Sequence, residues 1–66
     1  MPPEKQHGKL KDGRTYVVFA SQLADNGRWS VAVEIEGQPR KEDDDSTYPS
    51  LDAAFKRGHK LAEEIA

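Results

Sequence analysis

The sequence predicts an α+β fold with a two-layer βββα architecture, a three-stranded antiparallel meander with one C-terminal helix across one face. Two observations lead to this prediction. Apolar residues from Leu51 to Ile65 recur at the period of an α-helix. Larger apolar residues at positions 29, 31, 33 and 35 alternate with Ser, Ala and Glu, as in a strand with one buried face. The apolar stripe of the helix needs such a face to lie on.

Length and composition limit the chain to one small domain. A chain of 66 residues buries only about 60% of the surface that its unfolded form exposes. It has no cysteine, which excludes disulfides and thiolate metal sites. The formal net charge of −2 argues against general binding to nucleic acid or anionic membranes. The longest apolar run, residues 16–20, is too short to span a bilayer, and we expect a cytoplasmic protein without membrane contact.

Residues 1–13 are predicted to be a flexible segment, and residues 14–66 to form the domain. Two prolines near the start discourage regular structure, and the segment lacks the apolar core of a targeting signal. After a turn at Asp12-Gly13, β-branched and aromatic residues from Thr15 to Leu23 predict the first strand.

The turn at residues 25–27 joins this strand to the next one, and its length decides which side chains face the helix. A two-residue turn would put Val18 on that face. A three-residue loop would put Val17 and Phe19 there instead, with Phe19 opposite Val33. Because burial of a large apolar side chain stabilises by about 1.5–3 kcal/mol, we expect the three-residue loop and a core that contains Phe19.

Residues 40–48 fit either a weak third strand or a solvated acidic loop, and the sequence leaves both open. The acidic run from Glu42 to Asp45 has poor strand propensity. A third strand would complete the meander, and its charges would suit an exposed edge of the sheet.

The helix is expected from Ser50 to Ala66, with Ser50 as the N-cap after a proline. Gly58 lies in mid-helix on the apolar stripe, where glycine costs about 1 kcal/mol relative to alanine. We therefore expect a bulky sheet residue, Trp29 or Phe19, to approach Gly58 closely, and Leu61 to lie in the core.

No constellation of residues requires a particular chemistry, and we expect no enzyme, catalytic residue, cofactor or metal site. The serines lack the context of an activated nucleophile, and there is no glycine-rich phosphate loop. His59 and Glu63 share one face of the helix, but two ligands without a third are more typical of a solvated pair. The acidic run lacks the ligand spacing of a calcium loop.

In the expected register, a modest apolar patch lies on the face of the sheet away from the helix. Such a patch on a small domain often contacts a protein partner or mediates weak homodimerisation. The alternative is that the N-terminal segment covers the patch through Leu10. The candidate partner-binding residues are Tyr16, Val18, Ala20 and Ala32.

Nucleic-acid binding is the alternative function. The basic helix cluster Lys56, Arg57 and Lys60, together with a basic N-terminal arm, could contact phosphates. This alternative is less favoured because Asp52 and Glu64 lie four residues from Lys56 and Lys60 and compensate their charge.

The chain resembles small βββα families from Thr15 to Ala66. The hairpin followed by Tyr48-x-Ser50-Leu51-x-Ala53-Ala54 is similar to HicB-type antitoxins, whose partial RNase H fold ends in a comparable helix. Gly27-Arg28-Trp29 and the alternating strand resemble plant ethylene-response DNA-binding domains. That family carries arginines on the outer face of its sheet, where this chain has Ser30, Ala32, Glu34 and Glu36, so its function does not carry over.

The whole pattern most resembles small uncharacterised bacterial proteins that end in a Tyr-x-Ser-Leu-x-x-Ala helix, which implies a fold and no activity. With the HicB resemblance, it favours a non-enzymatic interaction or regulatory domain, with an antitoxin-like role as the narrower expectation. The expected partner is an unknown protein or a second copy of the chain.

Overall fold

A computed structural model confirms the α+β class, with an antiparallel sheet and one C-terminal helix on one of its faces. The structure describes residues 3–65, except for the side chains of residues 44 and 45. The strands are β1 (Glu4–Lys9), β2 (Thr15–Gln22), β3 (Trp29–Ile35) and β4 (Lys41–Tyr48), and the helix α1 comprises Leu51–Ile65. The sheet has four strands, which follow chain order from β1 to β4.

The strand β1 is an addition to the predicted meander. It pairs antiparallel with β2 along its whole length. The prediction of a flexible segment over residues 1–13 is therefore wrong for residues 4–9, and residues 1 and 2 lie outside the described part. Nearly all side chains of β1 are exposed, so its sequence shows no apolar alternation. Backbone pairing and the buried Leu10 that follows hold it in place.

The β2–β3 hairpin has a different register from the expected one. Val18 pairs with Val33. The backbone amide of Leu23 donates to the carbonyl oxygen of Arg28 at 2.7 Å, which leaves residues 24–27 as the loop. The three-residue loop is thus wrong by one residue, and each side chain of β2 lies on the face opposite to the predicted one.

The helix explains why this register is preferred. A Cβ atom built at Gly58 would overlap the side chain of Val18, so the helix backbone lies directly against β2. An aromatic ring at the position of Val18, opposite Gly58, would hold the helix away from the sheet and lose contacts along it. The neighbour of Gly58 is therefore Val18, and the expectation of Trp29 or Phe19 is wrong. The buried helix residues are mostly small: Ala54, Gly58, Leu61 and Ala62.

The core lies between the helix and the inner face of the sheet, the face that α1 covers. Leu61 belongs to it as predicted, whereas Phe19 is half-buried on the opposite face, so its placement in the core is wrong. The buried apolar residues are Leu10, Tyr16, Val18, Ala20, Val31, Val33, Ile35, Ala54, Leu61 and Ala62.

Residues 41–48 form the strand β4, which resolves the choice between a strand and a loop. β4 pairs with β3 over Lys41–Asp43 and again at Tyr48, with an irregularity between these two sections. Arg28 holds the irregular section. Its Nε donates to the Thr47 hydroxyl at 2.6 Å, and a second guanidinium nitrogen donates to the Thr47 carbonyl oxygen at 2.8 Å. The charged strand occupies an edge of the sheet, as expected.

The start of α1 agrees with the prediction. The hydroxyl of Ser50 accepts a hydrogen bond from the backbone amide of Ala53 at 3.2 Å, which is the geometry of an N-cap. The helix ends at Ile65, and Ala66 lies outside the described residues.

Candidate interaction surface

The observed register places three of the four predicted partner-binding residues in the core. Tyr16 is 7% exposed, and Val18 and Ala20 are completely buried beneath the helix. Their prediction as an exposed patch is therefore wrong. The cause is the loop, which is one residue longer than predicted and reverses the two faces of β2. Ala32 lies on the outer face, the face of the sheet opposite α1.

An apolar centre of different composition occupies the outer face. Phe19 pairs with Ala32, and Val17 lies two residues away on the same strand, with all three side chains half-buried. Within residues 3–65, no other strand or helix packs on this face. Two cations cover Phe19 instead, since Lys5 Nζ lies 5.7 Å and the Arg40 guanidinium 4.3 Å from the ring centroid.

A groove of about 320 Å³ runs beside Phe19 on the outer face. Strands β2 and β3 form its floor, and the irregular section of β4 lies along it. This mixture of apolar and hydroxyl groups in an open groove suits a polypeptide surface better than an enclosed small molecule. The lining side chains include Phe19, Ser21, Leu23, Ser30, Ala32, Arg40, Glu42, Ser46 and Thr47.

Charge is unevenly distributed over the outer face. Alternate residues of a strand share a face, and Lys5 pairs with Phe19, so β1 contributes Lys5, His7 and Lys9. The side towards β4 carries Glu34 and Glu42. Arg40 compensates part of this charge, with its Nε 3.6 Å from a Glu34 carboxylate oxygen. The face is therefore basic along β1, apolar in the centre and acidic towards β4.

The predicted nucleic-acid-binding residues do not form one free basic surface. Arg57 lies between two carboxylates, with Nη1 3.0 Å from Glu64 and Nε 3.3 Å from Asp43. The hydrogen bond with Glu64, and then the one with Asp43, raise the pKa of Arg57 and hold its charge in place. Lys56 and Lys60 are exposed on the helix, but the helix and the outer-face lysines of β1 lie on opposite sides of the sheet.

A chain of hydrogen bonds links β2, α1 and β1. His59 Nε2 lies 2.7 Å from Gln6 Oε1, and His59 Nδ1 lies 2.6 Å from the Tyr16 hydroxyl. The amide oxygen can only accept, so Nε2 donates to it, and in the neutral imidazole Nδ1 accepts from Tyr16. Burial raises the pKa of Tyr16, and the nearby Glu63 adds to this effect.

This chain of hydrogen bonds also explains Gly8. A Cβ atom at Gly8 would overlap the ring of Tyr16, which crosses β1 at that position to reach His59. A glycine within a charged strand is the sequence signal for such a crossing, because another backbone or ring needs the space.

The side chains weighed as metal ligands have other partners. Both ring nitrogens of His59 are occupied by Tyr16 and Gln6. Asp43 accepts from the Tyr48 hydroxyl at 2.5 Å and points towards α1, whereas Glu42 lies on the outer face. The side chains of Asp44 and Asp45 lie outside the described part. Among the described side chains, no three His, Asp or Glu residues converge on a metal position.

Comparisons with known proteins leave the family open. Within residues 3–65, no helix combines the length and apolar character needed to cross a bilayer. No protein-family model matches the chain, and no curated protein or solved structure matches it significantly.

Proposed function

We propose that this chain is a non-enzymatic protein-interaction module with a regulatory role in the cytoplasm, and that the outer face of its sheet binds the partner. One observation carries the proposal. Phe19 lies at the centre of that face, paired with Ala32. The side chains of Lys5 and Arg40 cover its ring, and no other strand or helix within residues 3–65 does so. Both cations are on flexible stems that a partner can displace at little cost.

The chemistry of the face supports a protein partner. An apolar centre with a charged rim is the usual anatomy of a protein interface, and aromatic residues and Arg are enriched in such centres. The groove beside Phe19 offers hydroxyl groups and an apolar floor to a polypeptide. An antitoxin-like role is the narrower form of this proposal, and its support is the resemblance in residues 48–54.

Nucleic-acid binding through the helix is the competing proposal. It has less support because Arg57 is paired with Glu64 and Asp43. A gel-shift titration against duplex and single-stranded probes tests it. Phosphate contacts by Lys56 and Lys60 would make affinity fall steeply with added salt.

Site-specific photo-crosslinking in a native cell extract tests the interaction proposal. A photoreactive amino acid is placed at Ala32 on the outer face and, in a matched control, at Lys60 on the exposed side of the helix. We expect a discrete crosslinked protein from position 32 and not from position 60. We also expect its loss when Phe19→Glu is introduced together with the probe at position 32.

The control at position 60 separates specific binding at the outer face from non-specific crosslinking. Equal crosslinking from both positions, or none from position 32 either in extract or in the purified chain at about 1 mM, would contradict the assignment of the outer face as the binding surface. Circular dichroism of each variant checks that the fold is retained.

A further inference from the structure

Four residues form a straight row across the outer face. The strand pairing aligns Lys5 with Phe19, Phe19 with Ala32 and Ala32 with Glu42. Neighbouring strands lie about 4.8 Å apart, so the row spans about 14 Å from the first Cα to the last. It runs from a cation through a large apolar ring and a small apolar side chain to an anion.

We propose that the partner on this face is a second copy of the chain, packed sheet against sheet about a two-fold axis parallel to the strands. This inference rests on the proposed function of the outer face. Such an axis passes over the middle of the row and reverses its direction in the second copy. Lys5 then lies opposite Glu42 of the other copy, and Phe19 opposite its Ala32.

The row is self-complementary in this orientation. In a two-fold interface each contact occurs twice, so the pair contains two Lys5–Glu42 contacts and two contacts of a large ring with a small residue. A two-fold axis in the sheet plane but perpendicular to the strands would instead place Lys5 against Lys5 and Glu42 against Glu42. Like charges placed opposite each other disfavour that arrangement, so the charge pattern selects one axis.

The next row along the strands fits at the rim of this interface. It contains Val17 paired with Glu34, and the Glu34 carboxylate lies 3.6 Å from Arg40 Nε. Glu34 therefore enters the rim with a counter-ion of its own. Lys5 and Arg40 both lie over Phe19 in the single copy. In the dimer Lys5 moves towards Glu42 of the second copy and Arg40 towards its own Glu34, and together they uncover the ring for Ala32.

The size of the face predicts a weak, reversible dimer. Four strands at about 4.8 Å spacing and about 20 Å of strand length offer roughly 400 Å² in projection. A stable dimer buries about 800 Å² on each partner. We therefore expect the dissociation constant of the dimer to lie between about 10 μM and about 1 mM, and the chain to be monomeric at lower concentration.

Sedimentation velocity with charge-swapped variants tests the inference. The purified parent chain is run from about 5 μM to about 1 mM, where we expect a concentration-dependent shift from monomer to dimer. Lys5→Glu alone and Glu42→Lys alone each place like charges opposite each other, and each should weaken association at least about fivefold. The double variant Lys5→Glu/Glu42→Lys restores opposite charges and should regain most of the parent association. Lys60→Glu, the same charge change on the helix, should leave association unchanged.

The rescue distinguishes this geometry from any other. A parent chain that stays monomeric to about 1 mM overturns the inference. A dimer that both single variants leave intact, or that the double variant fails to restore, overturns it as well. If the chain is monomeric while position 32 still crosslinks a different protein in extract, the interaction module stands and only the second copy is wrong. If the chain is monomeric and position 32 crosslinks no protein, both the second copy and the interaction module are wrong.

Discussion

The two faces of this sheet show how one alternating sequence makes two different surfaces. On the inner face Val18 is completely buried, and on the outer face Val17 and Phe19, its two neighbours along the chain, are half-buried. The inner face contacts a helix whose buried residues are mostly small, and the outer face meets charged side chains. Of these three neighbouring side chains, the largest, Phe19, is on the less buried face.

The difference shows that shape decides which residues enter a small core. The helix backbone at Gly58 lies so close to the sheet that only a medium-sized branched side chain, that of Val18, fits beneath it. Burying Phe19 would contribute more apolar area, but it would separate two layers that touch through Ala54, Gly58 and Ala62. In a chain with so few core residues, the loss of close contact along a whole helix outweighs the gain from one ring.

Truncation of the inner face should give the largest loss of stability. Ile35 is 2% exposed and belongs to the core, so Ile35→Ala should lower the free energy of unfolding by about 2–5 kcal/mol. This is close to the entire stability of a domain of this size. Urea denaturation followed by circular dichroism measures it.

The matched control is Val17→Ala, an aliphatic truncation on the outer face. Val17 is half-buried, and its truncation should cost less than about 1 kcal/mol. Equal losses at both positions would mean that the two faces are buried alike, contrary to the structure.

A methyl group at the helix–sheet contact tests the closeness of the two layers. Gly58→Ala should lower the free energy of unfolding by about 1–2 kcal/mol, because overpacking against Val18 outweighs the gain in helix propensity. The same substitution combined with Val18→Ala should cost less than the sum of the two single changes. Stabilisation by Gly58→Ala would show that only helix propensity acts at this position.

The sequence predicted those elements whose pattern follows from burial. The helix stripe from Leu51 to Ile65, its Ser50 cap and the alternation in β3 were all visible, because one face of each element is apolar. Strand β1 was not visible. Its side chains are exposed on both faces, and its pairing uses backbone groups that every sequence has.

The candidate site was the least predictable part, because it depended on one loop residue. The packing of the helix on one face of the sheet was predicted correctly, but the four-residue loop exchanged Tyr16 and Val18 for Val17 and Phe19 on the opposite face. The small residues on the apolar stripe of the helix could have signalled this exchange. A helix with Ala54, Gly58 and Ala62 on its stripe favours a medium-sized partner.

Removal of a polar contact on the inner face should have a smaller effect, with a dependence on pH. Tyr16→Phe loses the hydrogen bond to His59 and should lower the free energy of unfolding by about 0.5–1.5 kcal/mol at neutral pH. Burial raises the pKa of Tyr16 above its unfolded value. The folded state therefore holds this proton more tightly, and the resulting stabilisation is complete below about pH 10 and is lost as pH rises through the folded pKa.

The stability difference between the parent and Tyr16→Phe should therefore shrink above about pH 10. Urea denaturation of both proteins from about pH 7 to about pH 11 measures it, and the contributions of groups that both proteins share cancel in the difference. A gap that stays constant with pH would contradict the assigned environment of Tyr16.

Truncation of the outer-face ring should have the smallest effect on stability and the largest effect on association. Phe19→Ala removes a half-buried ring and its contacts with Lys5 and Arg40, which together are worth about 0.5–1 kcal/mol. The same change removes the centre of the proposed self-complementary row, so the concentration-dependent sedimentation of the parent should disappear. Val17→Ala, which leaves the row intact, should retain it. Phe19→Ala could instead cost as much stability as Ile35→Ala. That result would contradict the binding surface and place the ring in a second core, because removal of a ring destabilises the monomer so strongly only when the ring is buried within it.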